Sequence, residues 1–256
     1  MTQAHFAAKQ SQILAIAPDA IRKPNMPIKT FIQEAADLFE WARKDILALL
    51  GAGLDHALFD DIPARIDALR EAESLWFRVR YSHEQAQQQW EQEAPKAYAL
   101  RDRLLRAMRF AFRRDDALLK RVAEITAGSG HADMIQDLSD IAALGREFSG
   151  PLLAINLDLA ELDHAVATAS AIAVLLAQVN GERADNNSAR VVRDQAYTLL
   201  KEAVDEVRAC GQYALWDNET RRDGYFSDYQ RSARRGGPVS IEQPADPAPQ
   251  DSSTPA

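Results

Sequence analysis

The sequence has a single cysteine, Cys210, so no disulfide can close within the chain. That suits a reducing compartment, and the expected location is cytoplasmic. Alternating runs of β-branched residues are missing too, and valine and isoleucine stand singly, which argues against a sheet. No uninterrupted apolar run approaches the ~18–20 residues that a bilayer span requires. The stretches 151–162 and 172–179 are short or broken by Asn156, Asp158 and Glu161, so no membrane span is expected. Residues 13–17 are too brief for a signal-peptide core and lack a basic start. Positive charge is in deficit: 30 Lys and Arg stand against 38 Asp and Glu, a net charge of −8. Such a balance disfavours non-specific binding to nucleic acid or anionic membranes.

Glycine is absent from residue 54 to residue 127, and that gap holds the clearest pattern in the chain. Leu69, Trp76, His83, Trp90, Ala97, Leu104 and Ala111 recur at seven-residue steps. Ala72, Val79, Ala86, Leu100 and Ala107 form the half-step partner. A 3-4-3-4 spacing keeps one stripe of a helix facing a neighbour over many turns, as in a coiled coil. A helix over 62–113 would be roughly 78 Å long at a rise of 1.5 Å per residue. Pro95 lies inside it, where proline costs about 3 kcal/mol. The heptad phase survives from Trp90 to Ala97, so a kinked continuous helix is preferred over a break.

Elsewhere, residues 1–27 carry Pro18, Pro24 and Pro27 and read as an N-terminal arm with one short helical piece. A helix is expected from Ile28 to Leu50, stopped by Gly51 and Gly53, with Asp61 capping the long helix. A short helix should end at Gly128, and another should start near Asp133 as its cap. Gly150 and Pro151 interrupt that helix. A further helix should run to Gly181, a loop should cover 181–187, and a last long helix should reach Trp216. From 236 to 256 five prolines mix with Ser, Gln and Asp, a composition that predicts disorder.

Some residues could carry chemistry. Asp133, Asp137 and Asp140 fall at i, i+4 and i+7 beside His131, a set that could hold a metal ion. The alternative is a helix start with a solvated acidic face. Glu161 and His164 have the Glu-x-x-His spacing of helical di-iron proteins, but no second pair exists in the chain. His83 occupies a core position of the heptad ladder, where a structural role outweighs a titratable switch. Arg106, Arg109 and Arg113 form a basic patch, which could meet phosphates but is also the ordinary outer face of an amphipathic helix. Trp216, Arg221, Arg222, Tyr225 and Tyr229 combine aromatics with arginine, as binding hot spots do, or as a terminal helix does when it docks on a bundle. Gly128, Ser129 and Gly130 lack a Walker-type lysine and follow no strand, so they read as a connector. Cys210 has no neighbouring base and reads as core.

Two stretches, Gly130-His131-Ala132-Asp133-Met134-Ile135-Gln136-Asp137-Leu138 and 200–208 running on to Tyr213, resemble uncharacterised all-helical bacterial proteins of similar length. The resemblance covers the second half best. It implies an all-α fold of bacterial origin and no activity or cofactor.

The expected fold is therefore all-α: an elongated antiparallel bundle of two helical hairpins, 28–127 and 131–235, forming one domain between the arm and the tail. The expected function is a non-enzymatic interaction or structural role, binding a protein partner or a second copy as a homodimer. The alternative is a metal-binding protein, or metal-dependent enzyme, with its site near 131–140.

Overall fold

A computed structural model describes residues 2–236, and the tail expected to be disordered lies, apart from Gly236, outside these described residues. The fold is all-α, with no strand among the described residues. In chain order the helices are α1 (Thr2–Leu14), α2 (Ile28–Ala42), α3 (Ile46–Gly51), α4 (His56–Asp60), α5 (Ile62–Ala111), α6 (Asp116–Ile125), α7 (His131–Glu147), α8 (Ser149–Leu153), α9 (Ala160–Ala214), α10 (Glu219–Asp223) and α11 (Asp228–Arg234). Single 3-10 turns lie at Pro18–Ala20 and Arg43–Asp45.

The long glycine-free helix is present as α5 and continues through Pro95. Pro95 is exposed, and the helix continues although proline has no N–H to donate to the carbonyl one turn earlier. Three expectations are corrected. The helix from Ile28 does not run unbroken to Leu50, because the turn at Arg43–Asp45 separates α2 from α3. Gly181 does not end a helix: α9 runs through it and through the whole of the expected loop 181–187. Asp133 is not the cap of α7, which starts at His131 after Gly130, whose φ of +124° favours glycine.

Where caps are present they follow ordinary chemistry. The carboxylate of Asp55 accepts from the Ala57 amide, and that of Asp115 from the amides of Ala117 and Leu118, satisfying donors that the first turn leaves open. Asn218 and Ser227 do the same for α10 and α11.

The chain divides into two compact units. Unit 1 combines residues 1–77 with 188–256, and unit 2 is the single stretch 78–187. The core of unit 1 gathers Phe31, Ala35 and Leu38 of α2, Leu69 and Ala72 of α5, and Tyr197, Leu200, Val204 and Val207 of α9. The N-terminal arm belongs to this core. Ile13 and Met26 are fully buried, Gln195 Nε2 donates to the Ile16 carbonyl at 2.9 Å, and the Arg22 amide donates to Thr198 Oγ1 at 2.9 Å. The core of unit 2 continues the heptad ladder through Ala86, Trp90, Ala97, Leu100 and Leu104, packed with Met134, Leu138 and Ile141 of α7 and Leu162, Ala165, Ala169 and Ile172 of α9. Gly145 of α7 permits this approach. A Cβ there would lie 2.9 Å from the Leu162 methyls.

Candidate functional site

The C-terminal aromatic and arginine residues form a built polar site in unit 1. Asp45, at the end of the Arg43–Asp45 turn, accepts from Arg221 through both Nε and Nη2 and from the Tyr225 hydroxyl at 2.8 Å. The Arg221 guanidinium lies 3.9 Å over the Trp41 ring. The backbones close the clamp: Trp41 Nε1 donates to the Arg221 carbonyl and Arg221 Nη2 to the Trp41 carbonyl, both at 3.1 Å. Gly224 makes this contact feasible, since a Cβ there would lie 2.3 Å from the indole. Burial and the hydrogen bond to Asp45 together push the Tyr225 hydroxyl far above the ordinary tyrosine range.

A second carboxylate does similar work nearby. Glu34 of α2 accepts from Arg208 Nη2 at 2.8 Å, from Ser227 Oγ at 3.1 Å and from the Tyr229 amide at 2.8 Å. Of the five residues read as partner-binding, Arg221, Tyr225 and Tyr229 are thus fastened into unit 1, and Tyr225 is fully buried. Arg222 is half-buried and donates through Nη1 to the Trp216 carbonyl at 3.1 Å. Trp216 is different: it is 73% exposed, and Tyr213, one turn earlier, is 74% exposed. Asp45, Glu34 and Trp41 were invisible in the sequence, because each lies about 180 positions from the residues it holds.

In unit 2 the residues His131, Asp133, Asp137 and Asp140 occupy the first three turns of α7, but they do not converge. His131 Nδ1 shares a hydrogen bond with the Tyr98 hydroxyl at 2.9 Å, and its ring meets Trp90 edge-on with centroids 4.7 Å apart. The Asp133 carboxylate lies against Gly128, and Asp140 accepts from Gln136 at 2.8 Å. Asp137 is buried at 4% exposure, with Arg101 Nη1 3.5 Å from its carboxylate. Burial raises its pKa, Arg101 opposes that, and Asp133 and Asp140 add to it. Among the described residues no group of three or more His, Cys, Asp or Glu side chains is placed to hold a metal ion.

The other singled-out residues are engaged or exposed. Arg106, Arg109 and Arg113 are all exposed, and Arg113 stacks 4.2 Å over Phe110. Glu161 pairs with Arg103 of α5, while His164 is exposed. His83 is half-buried rather than in the core. Cys210 is buried, with its sulfur 3.7 Å from Glu206, and burial followed by that carboxylate raises its pKa, which keeps the thiol protonated.

Helix α9 holds the largest departure from the sequence reading. It contains an 18-residue stretch of mean hydropathy 1.5, only 28% of it buried, so by length and composition one helix is apolar enough to cross a bilayer. A core helix of a soluble protein passes the same test.

No known protein family, curated protein or solved structure matches this chain.

Proposed function

We propose that this is a non-enzymatic helical protein that self-associates, two copies meeting along the exposed face of α9 within unit 2. The observation that carries the reading is the apolar stretch of α9 with only 28% of its length buried. Leu162, Ala165, Ala169 and Ile172 turn into the core of unit 2, whereas Ala167, Ala171 and Val174 lie on the outer side, Val174 being 70% exposed. Water is a poor environment for such a face, and exposed apolar surface of this extent marks an interaction site. Its chemistry suits a second copy. Residues 165–181 contain no Asp, Glu, Lys or Arg, so a two-fold pairing brings no like charges together despite the net charge of −8. Alanine at 167 and 171 leaves room for close backbone approach.

Light scattering across a concentration series tests the reading. The full chain should exceed its 28.4 kDa monomer mass as concentration rises, and Ala171→Glu or Val174→Glu should abolish the increase. A mass of 28.4 kDa at every concentration overturns it. Co-flotation of that monomer with lipid vesicles would instead assign the face to a bilayer.

A further inference from the structure

Residues 103–114, which end α5 and form the turn after it, contain five arginines and no acidic side chain, in a chain of net charge −8. Arg103 pairs with Glu161. Arg106, Arg109, Arg113 and Arg114 are exposed, and among the described residues none of them pairs with a carboxylate. At about 3.6 residues per turn Arg106, Arg109 and Phe110 share one face of α5. Arg113 joins them from the turn, its guanidinium 4.2 Å from the Phe110 ring centroid. Phe110 is 56% exposed. At the same end of unit 2, Phe112 meets Phe148 edge-on, and α8, which follows directly, carries Leu153 at 54% exposure.

Helix capping does not account for this group. Arg113 Nη1 donates to the Phe110 carbonyl at 2.7 Å, and the C-terminal dipole of α5 favours cations only within its last turn, which excludes Arg106. Unpaired arginines are suited to phosphates, and their arrangement selects which. Along α5 the patch is only about 10 Å long from Arg106 to Arg113. Acidic residues bound it: Asp102 lies on the same face one turn earlier, and Asp115 and Asp116 follow Arg114, all three exposed. A single strand of nucleic acid tracks along a basic groove past several phosphates in succession, and here it would run into those carboxylates. A bilayer presents its phosphates as a plane, which a compact basic tip with a protruding ring touches at one spot. The net negative charge does not prevent this, because charges more than about 8 Å away are largely screened at physiological salt.

We propose that the end of α5 docks on anionic phospholipid bilayers, with Arg106, Arg109, Arg113 and Arg114 on headgroup phosphates and Phe110 at the boundary with the acyl chains. The contact is reversible: each arginine near an anionic surface contributes about fivefold to partitioning, and the ring adds about tenfold. It uses none of the α9 face assigned to self-association.

Flotation of the full chain with two kinds of vesicle tests this, one of phosphatidylcholine alone and one with phosphatidylserine as half of its lipid. The chain should float with the second kind only, and salt near 1 M, where the Debye length is about 3 Å, should release it. Arg106→Gln, Arg109→Gln and Arg113→Gln combined should weaken partitioning about a hundredfold, whereas lysine at the same three positions should retain most of it. Phe110→Ser should weaken it about tenfold and leave the salt dependence in place. No flotation with either kind of vesicle overturns the proposal, as does a glutamine variant that floats like the native chain. Equal flotation with both kinds, lost in Val174→Glu and kept in the glutamine variant, overturns it by placing the contact on the uncharged face of α9. Binding of a labelled oligothymidylate that the glutamine variant loses, with the vesicles left unbound, overturns it in favour of single-stranded nucleic acid.

Discussion

The ring of Tyr225 fills the space that Gly211 leaves on α9: a Cβ at position 211 would lie 2.0 Å from the ring. The hydroxyl at the other end of the same side chain reaches Asp45 at 2.8 Å. One side chain thus ties α9, the C-terminal segment and the turn after α2 together.

Gly211→Ala should therefore destabilise the protein even though alanine is the better helix former. Overpacking at a filled site costs about 1–3 kcal/mol, more than the ~1 kcal/mol of helix propensity gained. Tyr225→Phe, which keeps the ring and removes the hydrogen bond, should cost about 1 kcal/mol. Urea unfolding reads both, and a raised midpoint for Gly211→Ala would show that the ring is not seated there.

Gly181→Ala should have the opposite sign. Gly181 is exposed inside α9, and nothing lies within 4 Å of where its Cβ would be. Alanine should stabilise by up to ~1 kcal/mol. A loop at 181–187 would give no such gain, so the measurement also reports on helix continuity. Pro95→Ala, exposed inside α5, should stabilise as well, by at most ~3 kcal/mol.

These two positions show what was legible in the chain and what was not. The heptad ladder survives Pro95 because a repeating apolar pattern over about twelve turns outweighs one missing hydrogen bond. Gly181 misled because glycine, Asn186, Asn187 and Ser188 are loop-forming locally, while helix formation is cooperative and both flanks of α9 are held by buried residues, Val179 before and Ala196 after. The aspartate periodicity on α7 is visible in the chain as a spacing. Its chemistry was not legible, since Tyr98 and Arg101, the partners of His131 and Asp137, come from α5 more than thirty positions away. The residues that anchor the C-terminal segment were legible as a docking group, and their receptors Asp45 and Glu34 were not.

Asp137 should leave a mark on the pH dependence of stability. Its folded-state pKa is raised above the ordinary 3.8, chiefly by burial. Between those two values the native state holds more protons than the unfolded one, so its contribution falls as pH rises and the loss is complete above the folded pKa. Asp137→Asn should remove that decline, and its advantage over the native chain should grow from acid towards neutral pH in urea titrations. Asp61 works the other way. Burial raises its pKa, but hydrogen bonds from Lys9 and Arg65 together bring it below the ordinary value. Its contribution is present above that value and is lost as pH falls through the folded pKa. A variant whose advantage shrinks towards neutrality would contradict the assignment for Asp137.

Chelation should leave the protein untouched. With His131 bonded to Tyr98, Asp140 to Gln136 and Asp137 facing Arg101, three of the four residues have protein partners in place of a metal. EDTA should not lower the thermal midpoint, and added zinc or manganese should not raise it. Specific binding at a hundred times Kd would add about 2.7 kcal/mol, a shift that calorimetry would detect and that would reinstate a site near 131–140.

Unit 1 is assembled from residues on both sides of unit 2 in the sequence. During synthesis, residues 1–77 emerge with nine of the 25 buried residues of their core unsupplied, because these, Tyr197, Leu200, Val204 and Val207 among them, come only after all of 78–187 has been made. At about 5–20 residues per second that wait is roughly 5–20 s. Unit 2 emerges as one uninterrupted stretch and can consolidate first. The order of translation thus lets the inserted unit mature earlier, and leaves the amphipathic α2 with Phe31 and Leu38 uncovered until the C-terminal half of α9 arrives.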